Sequence, residues 1–178
     1  PVVAAGVVAK KILQDATILD ETPVNAIDAR IVELGGIREE SQESWQDAID
    51  KAIEEGDSLG AIVECTVPQI DPGYGEPLWD SVESVISHAV FSIPGVRGIE
   101  FGDGFDAARM TGSEHNDPIG IDGIPIKNGA GGVNGGITNG MPIIFRTAIK
   151  PTPTIFKPQN TIDFKTMTET VLEIKGRH

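Results

Sequence analysis

Cysteine is nearly absent from this chain: Cys65 is the only one. No disulfide can close within it, which fits a reducing cytoplasm. Its neighbours Ile62-Val63-Glu64 and Thr66-Val67 read as a strand, so a buried, inert thiol is expected. Basic residues are also scarce, with 14 Lys and Arg against 27 Asp and Glu and a formal charge of −13. A nucleic-acid binder carries a basic stripe, and none is visible. The same charge argues against an anionic membrane surface. It leaves room for a phosphorylated small ligand, because one or two placed cations decide such a site locally. No run of 18 apolar residues occurs, so no transmembrane helix is expected, and no signal-peptide pattern is present. The first residue is Pro1 rather than Met, and a helical pattern is already under way at Val2, which reads as an interior start.

What the chain does have is globular. Hydrophobic residues make up 39% and charged residues 23%, close to the averages for folded domains. The 21 Gly and 12 Pro point to many turns rather than a helical bundle. A length of 178 residues suits one ordinary domain with a real core. No repeat or linker divides it, so residues 1–178 are expected to form a single domain.

Val2 to Leu13 is apolar almost all round, which predicts a helix buried on most of its surface. Val24 to Ile37 is rich in β-branched residues and reads as a strand ended by Gly35-Gly36. Ser41 is a candidate N-cap for a helix over Ser44 to Glu55, where Trp45, Ala48, Ile49, Ala52 and Ile53 follow helical spacing. Gly56 ends it. Ser58 to Ile70 is a strand, Asp71 to Pro77 a loop, and Leu78 to Ile93 a second amphipathic helix. Strands are expected over Val96 to Phe101 and Ala107 to Thr111, around a Gly102-Asp103-Gly104 turn. Ser113 to Asn139 is a long Gly-rich loop, and loops of that length usually serve function. Met141 to Lys150 is the clearest late strand. Thr161 to Asp163 adds a short one, and Thr168 to Lys175 is ambiguous. The alternation gives an α+β or α/β class.

Three stretches could carry chemistry. In Ser113-Glu-His-Asn-Asp117, the side chains of Glu114, His115 and Asp117 could ligate a metal or move a proton, but the spacing matches no zinc or calcium loop. A polar loop ordering its own backbone and the edge of an active site both remain open. The run Asn128 to Gly140 invites a phosphate-loop reading that fails: Asn134 sits where a dinucleotide fingerprint needs Gly, and no GxxxxGK[ST] occurs. Its glycines still let the backbone approach a planar or anionic ligand. In Lys150-Pro-Thr-Pro-Thr154, prolines fix the path, so a cation and two hydroxyls could be held toward one anion. A rigid strand exit with a surface lysine is the alternative.

Taken in order, these pieces resemble chorismate synthase. The resemblance rests on VAAGVVAKKIL (3–13), GDSLGAIVE (56–64), GYGEPLWD (73–80), SIPGVRGIEFGDGF (92–105), GSEHND (112–117), NGAGGVNGGITNGMPI (128–143), KPTPTI (150–155) and GRH (176–178). Each is weak alone, and together they run in the family's order along the whole chain. The resemblance implies an α+β fold with helices layered against antiparallel β-sheets, a β-α-β sandwich present here in part. It implies a lyase of the shikimate pathway, which leads to the aromatic amino acids. That enzyme converts 5-enolpyruvylshikimate 3-phosphate to chorismate and phosphate by 1,4-trans elimination. It also implies reduced FMN as cofactor, no net redox change, and a cytoplasmic homotetramer.

Carried over position by position, Lys150, Pro151, Thr152, Pro153 and Thr154 match the family's flavin-binding Lys-Pro-Thr segment. Gly135 matches a flavin-contacting glycine, Pro94-Gly95 a further contact pair of differing residue type, and Arg177 the arginine of Gly-Arg-His-Asp. Gly129 departs from the Asn, His or Arg usual at its place. Pro153 and Thr154 stand where Ser or Thr are common, which removes one hydroxyl donor. The family's two acid–base histidines lie in Gly-Glu-Ser-His-Gly and Arg-Pro-Gly-His, and a further flavin segment is Arg-Ser-Ser-Ala-Arg. All three belong before Pro1, and the aspartate after Gly-Arg-His belongs after His178. His88, His115 and His178 match neither catalytic histidine. The expectation is therefore a central piece of the family protein, inactive alone, with no catalytic residue assigned. An isolated FMN-binding or purely structural, oligomerising piece is the alternative.

Overall fold

A computed structural model of the chain describes residues 2–15, 27–38, 42–68 and 70–175. Its centre is a five-stranded antiparallel sheet of β1 (Asp28–Leu34), β2 (Ile37–Arg38), β3 (Ala61–Val67), β4 (Val96–Phe101) and β7 (Ile143–Ile149). The spatial order is β2-β1-β3-β7-β4. The strand β7 lies inside this sheet, paired with β3 from Val67↔Ile143 to Ala61↔Ile149 and with β4 from Phe101↔Phe145 to Val96↔Ile149. Two hairpins stand apart: β5 (Val133–Asn134) with β6 (Ile137–Thr138), and β8 (Gln159–Asp163) with β9 (Thr168–Leu172). Helices α1 (Val2–Asp15), α2 (Gln42–Glu54), α3 (Val82–Phe91) and the one-turn α4 (Gly112–His115) complete the α+β architecture.

The period-2 geometry of strands sorts β7 into two faces. Ile143, Phe145 and Thr147 are buried, while Ile144, Arg146 and Ala148 alternate with them toward the other side. The buried face carries the core. Val133 and Ile143, each 3% exposed, pack with Phe145 against Cys65, Val67, Ile99 and Phe101 from the sheet and Val82, Ile86 and Val90 from α3. The rings of Phe101 and Phe145 meet at 5.6 Å between centroids, a distance typical of aromatic pairs. Cys65 is half-buried at the margin of this cluster.

Register turns the opposite face into a row of charges. Arg30↔Glu64, Glu64↔Arg146 and Glu100↔Arg146 are direct cross-strand partners. Arg30 Nη2 lies 3.1 Å from Glu64 Oε1, and Arg146 Nε lies 2.8 Å from Glu100 Oε1. Opposite charges directly across a ladder reinforce the register, and this row uses four of the five strands.

Several expected boundaries shift for identifiable reasons. The first strand breaks into β1 and β2 because Gly35 and Gly36 adopt φ of +58° and +86°, the geometry of a two-residue hairpin. Residues 24–26 and the candidate cap Ser41 lie outside the described residues. The second amphipathic helix starts at Val82, four residues later than expected. Leu78–Asp80 forms a separate 3-10 turn after Pro77. The Ser81 side chain, accepting from Ser84 N–H, then caps the true start. The expected strand over Ala107 to Thr111 is a 3-10 helix, Gly104–Arg109. The turn at Gly102-Asp103 takes the chain off the ladder, and the Glu100 carboxylate accepts the Phe105 N–H at 2.9 Å and holds it there. The helix α1 forms where expected, but its described side chains are not buried: Val3 is 83% exposed, and Val7 and Val8 are more than half exposed. As an element, α1 has no extensive packing partner among the described elements.

Candidate functional site

The stretches singled out along the sequence meet in space, in two groups at opposite ends of β7. At the C-terminal end, the last main-chain bond beside the β4–β7 ladder runs from Lys150 N–H to Gly95 C=O at 2.9 Å. Pro94-Gly95 and Lys150 to Thr154 are thereby neighbours. The turn after α2 forms the other wall. Ser58 Oγ donates to Thr152 C=O at 2.7 Å. Phe156 N–H donates to Gly56 C=O at 2.9 Å. A Cβ at Gly60 would stand 2.9 Å from Ile149 O and 3.1 Å from Pro151 Cδ, so only glycine lets the two segments close up. Lys157 then ties the segment down, its Nζ 2.8 Å from both Glu55 Oε2 and Asp57 Oδ2. Those contacts hold the Glu55 and Asp57 carboxyls below their ordinary values and raise Lys157.

This strap leaves Lys150, Pro151, Thr152 and Pro153 exposed and Thr154 half-buried. Among the described residues no carboxylate pairs with Lys150. An exposed cation and two hydroxyl residues on a proline-stiffened path suit an anion.

The second group surrounds the N-terminal end of β7. Asn128 Nδ2 donates to Pro142 C=O at 2.8 Å, and Ile144 N–H donates to Gly131 C=O at 3.1 Å. The Gly-rich run therefore lies along the start of the strand, where β4 has turned away. The segment Asp71 to Gly75 laces onto β6: Thr138 Oγ1 donates to Asp71 C=O at 2.8 Å and accepts Tyr74 N–H at 2.9 Å, and Thr138 N–H donates to Tyr74 C=O at 2.8 Å. Gly136 C=O accepts Val82 N–H at 3.0 Å, satisfying one free donor at the start of α3. The tip of the β5–β6 hairpin carries Gly135 at φ +60°, exposed, with no atom within 4 Å of where a Cβ would stand. That opening suits close approach of a flat group to the main chain.

The Ser113 to Asp117 stretch orders this group. The Glu114 carboxylate accepts Thr111 N–H at 2.7 Å and Thr111 Oγ1–H at 2.8 Å, which caps α4 and holds the Glu114 carboxyl below its ordinary value. Asp117 accepts Gly129 N–H and Ala130 N–H, one on each oxygen, at 2.8 Å. Lys127 Nζ donates to Glu114 C=O at 2.7 Å and His115 C=O at 3.1 Å. Of the readings weighed for this stretch, the contacts are those of loop scaffolding. Among the described residues no cluster of three or more His, Cys, Asp or Glu could hold a metal ion. Sequence reasoning missed Asp117 and Lys127 as partners of the loop, since nothing in a linear pattern links residue 117 to residues 129 and 130.

The same crowding accounts for Gly129. A Cβ there would lie 2.6 Å from Asp103 Oδ2 and 3.0 Å from both Asp117 Oδ1 and Lys127 Nζ, so a longer side chain would have to displace the charged groups that surround it. Arg177 lies outside the described residues. The two groups are separated by the length of β7, roughly 20 Å at about 3.4 Å per residue. Lys150, the strap and Gly95 are thus brought together, and Gly135 belongs to the other group.

Comparison with known proteins identifies the family. The family model for chorismate synthase matches residues 1–178. The chain is 49% identical over 177 residues to chorismate synthase of Chitinophaga pinensis, covering 99% of this chain and 49% of that protein. It is 53% identical over 143 residues to that of Korarchaeum cryptofilum, covering 79% of this chain and 40% of that protein. A solved structure, described as the crystal structure of chorismate synthase, superposes with a TM-score of 0.67 at 31% identity, over 72% of this chain and 49% of that one. The chain spans about half, or less, of the length of these relatives.

Proposed function

We propose, from the premise that the chain belongs to the chorismate synthase family, that its 178 residues form a single domain supplying part of the flavin site of that lyase. The substrate is 5-enolpyruvylshikimate 3-phosphate, and the products are chorismate and phosphate. Reduced FMN, when bound, supplies electron density transiently for the 1,4-trans elimination and regains it, leaving no net redox change. The residues present fit it. FMN has a planar ring system and a phosphate, and the chain offers one chemistry for each at opposite ends of β7, so in the homotetramer the two ends are proposed to serve different flavins. Gly135 presents open main chain for a plane. Lys150, Thr152 and Thr154 present a cation and hydroxyls for an anion.

The observation that carries this reading is the Lys150 N–H bond to Gly95 C=O, which joins two segments far apart in sequence beside a lysine that no carboxylate among the described residues pairs with. Pro94 and Pro151 stiffen both approaches to that junction, and Pro153 stiffens the strap. Arg177 is proposed to add a second cation. No residue of this chain is given a proton-transfer role, because none of its histidines matches the family's acid–base pair. Elimination by these residues alone is not expected. In the cytoplasmic, homotetrameric enzyme, the acid–base residues come from outside this stretch of sequence.

Fluorescence titration with FMN tests the assignment. Binding is expected to be weak, and Lys150→Ala to weaken it about ten- to a hundredfold, the scale of one lost charge-assisted contact at roughly 1.5–3 kcal/mol. Equal affinity of the two proteins removes Lys150 from the site.

A further inference from the structure

We propose that Asp117 is a positioning residue: an internal anion that fills the Gly-rich loop's own main-chain nest and so fixes the course of the loop toward Gly135. Its link to cofactor binding rests on the flavin reading of Gly135 above.

Two successive N–H groups aimed at one point make an anion-binding concavity. In the Gly-rich loop that pair is Gly129 and Ala130, and the anion already there is the Asp117 carboxylate, with each oxygen 2.8 Å from one nitrogen. A ligand phosphate would have to displace it. The nest therefore serves the loop. Asp117 is 5% exposed, and a buried carboxylate persists only when it is paired.

Its counter-charge is Lys127, whose Nζ stands 3.9 Å from Asp117 Oδ1 and 3.6 Å from Asp103 Oδ2. Asp103 closes the ring by donating its N–H to Gly129 C=O at 2.8 Å. Asp103, Asp117 and Lys127 thus surround Gly129 and set the direction in which the chain leaves it. Downstream, Gly131 bonds the start of β7 and Gly136 bonds the start of α3. The hairpin carrying Gly135 hangs between these anchors. Asparagine at 117 keeps the shape but turns an NH2 toward one of the two N–H donors.

The test uses the 178-residue chain. Hydrogen exchange of amides 128–138 and FMN fluorescence titration are compared for wild type, Asp117→Asn and Asp117→Ala. Both variants are expected to exchange at least tenfold faster at 129–135, with β3 and β7 beyond Ile144 unchanged, and to bind FMN at least tenfold more weakly. Added formate can enter the hole left by Asp117→Ala and accept both N–H groups. It is expected to restore protection and affinity in that variant and to leave wild type unaltered. If Asp117→Ala does not fold, Asp117→Asn carries the exchange comparison.

Wild-type exchange rates at 129–135 in the variants overturn the proposal. So does faster exchange throughout β3 and β7 with no response to formate, which marks a general stability residue. If wild type takes up no FMN, the flavin reading fails, and the exchange comparison still decides whether Asp117 orders the loop.

Discussion

Gly102 and Gly36 both adopt positive φ, +55° and +86°, yet their surroundings differ. A Cβ on Gly102 would fall onto Gly129 O and Gly131 N, main-chain atoms of the Gly-rich loop; one on Gly36 would meet nothing within 4 Å. A left-handed conformation costs an L-residue about 1–2 kcal/mol, and overpacking adds about 1–3 kcal/mol where neighbours cannot retreat. Gly36→Ala is therefore expected to lose roughly 1–2 kcal/mol and Gly102→Ala about 3 kcal/mol or more. Urea unfolding midpoints at constant m-value check both. Equal losses would mean that the β4 exit and the loop do not pack as closely as the structure places them.

At the scale of elements, the strap from Lys150 to Lys157 is held by charges as well as by main-chain bonds. Lys157 donates to both Glu55 and Asp57 and lowers each carboxyl. Their contribution to stability is present above their unfolded values, near 4.5 and 3.8, and is lost as pH falls through the lower folded values. Lys157 is raised above 10.5 by Asp57 first and Glu55 second, so its contribution is present below 10.5 and is lost as pH rises through the folded value. Lys157→Met is expected to lower the thermal midpoint relative to wild type on the plateau between these limits. The two proteins should converge at both acid and alkaline extremes. A constant difference at every pH would assign the effect to lost packing of the lysine stem. High salt should shrink the plateau difference, since the three groups are partly exposed to solvent.

Across the whole molecule, apolar surface is left open. Val3, Val7 and Val8 on α1 are exposed, and so are Leu78 and Trp79 ahead of α3. Exposed patches of this kind mark contact surfaces. The chain covers only about half of its relatives. We expect it to associate in solution despite its charge of −13. Light scattering should give a mass above the 18.9 kDa of one chain, and aspartate at positions 3, 7 and 8 together should return it toward that value. A strict monomer at high concentration would show that α1 does not mediate contact between copies.

Local chemistry decided a good deal by sequence alone. The strand over 96–101 appears with the expected limits because Pro94-Gly95 and Gly102 bound it on both sides. The helix expected over 44–55 from apolar spacing and the glycine at 56 appears at Gln42–Glu54. The family was legible because its short segments are tied to one order along the chain. Tertiary structure alone could show that Lys150 bonds Gly95, that Asp117 fills the nest at Gly129 and Ala130, and that β7 holds the two groups of site residues apart. The two pairings join residues distant in sequence, and a periodic pattern carries no record of such partners. The burial of α1 failed as an expectation for the same reason. Hydrophobicity says that a surface seeks a partner, and only the packed chain says whether these residues provide one.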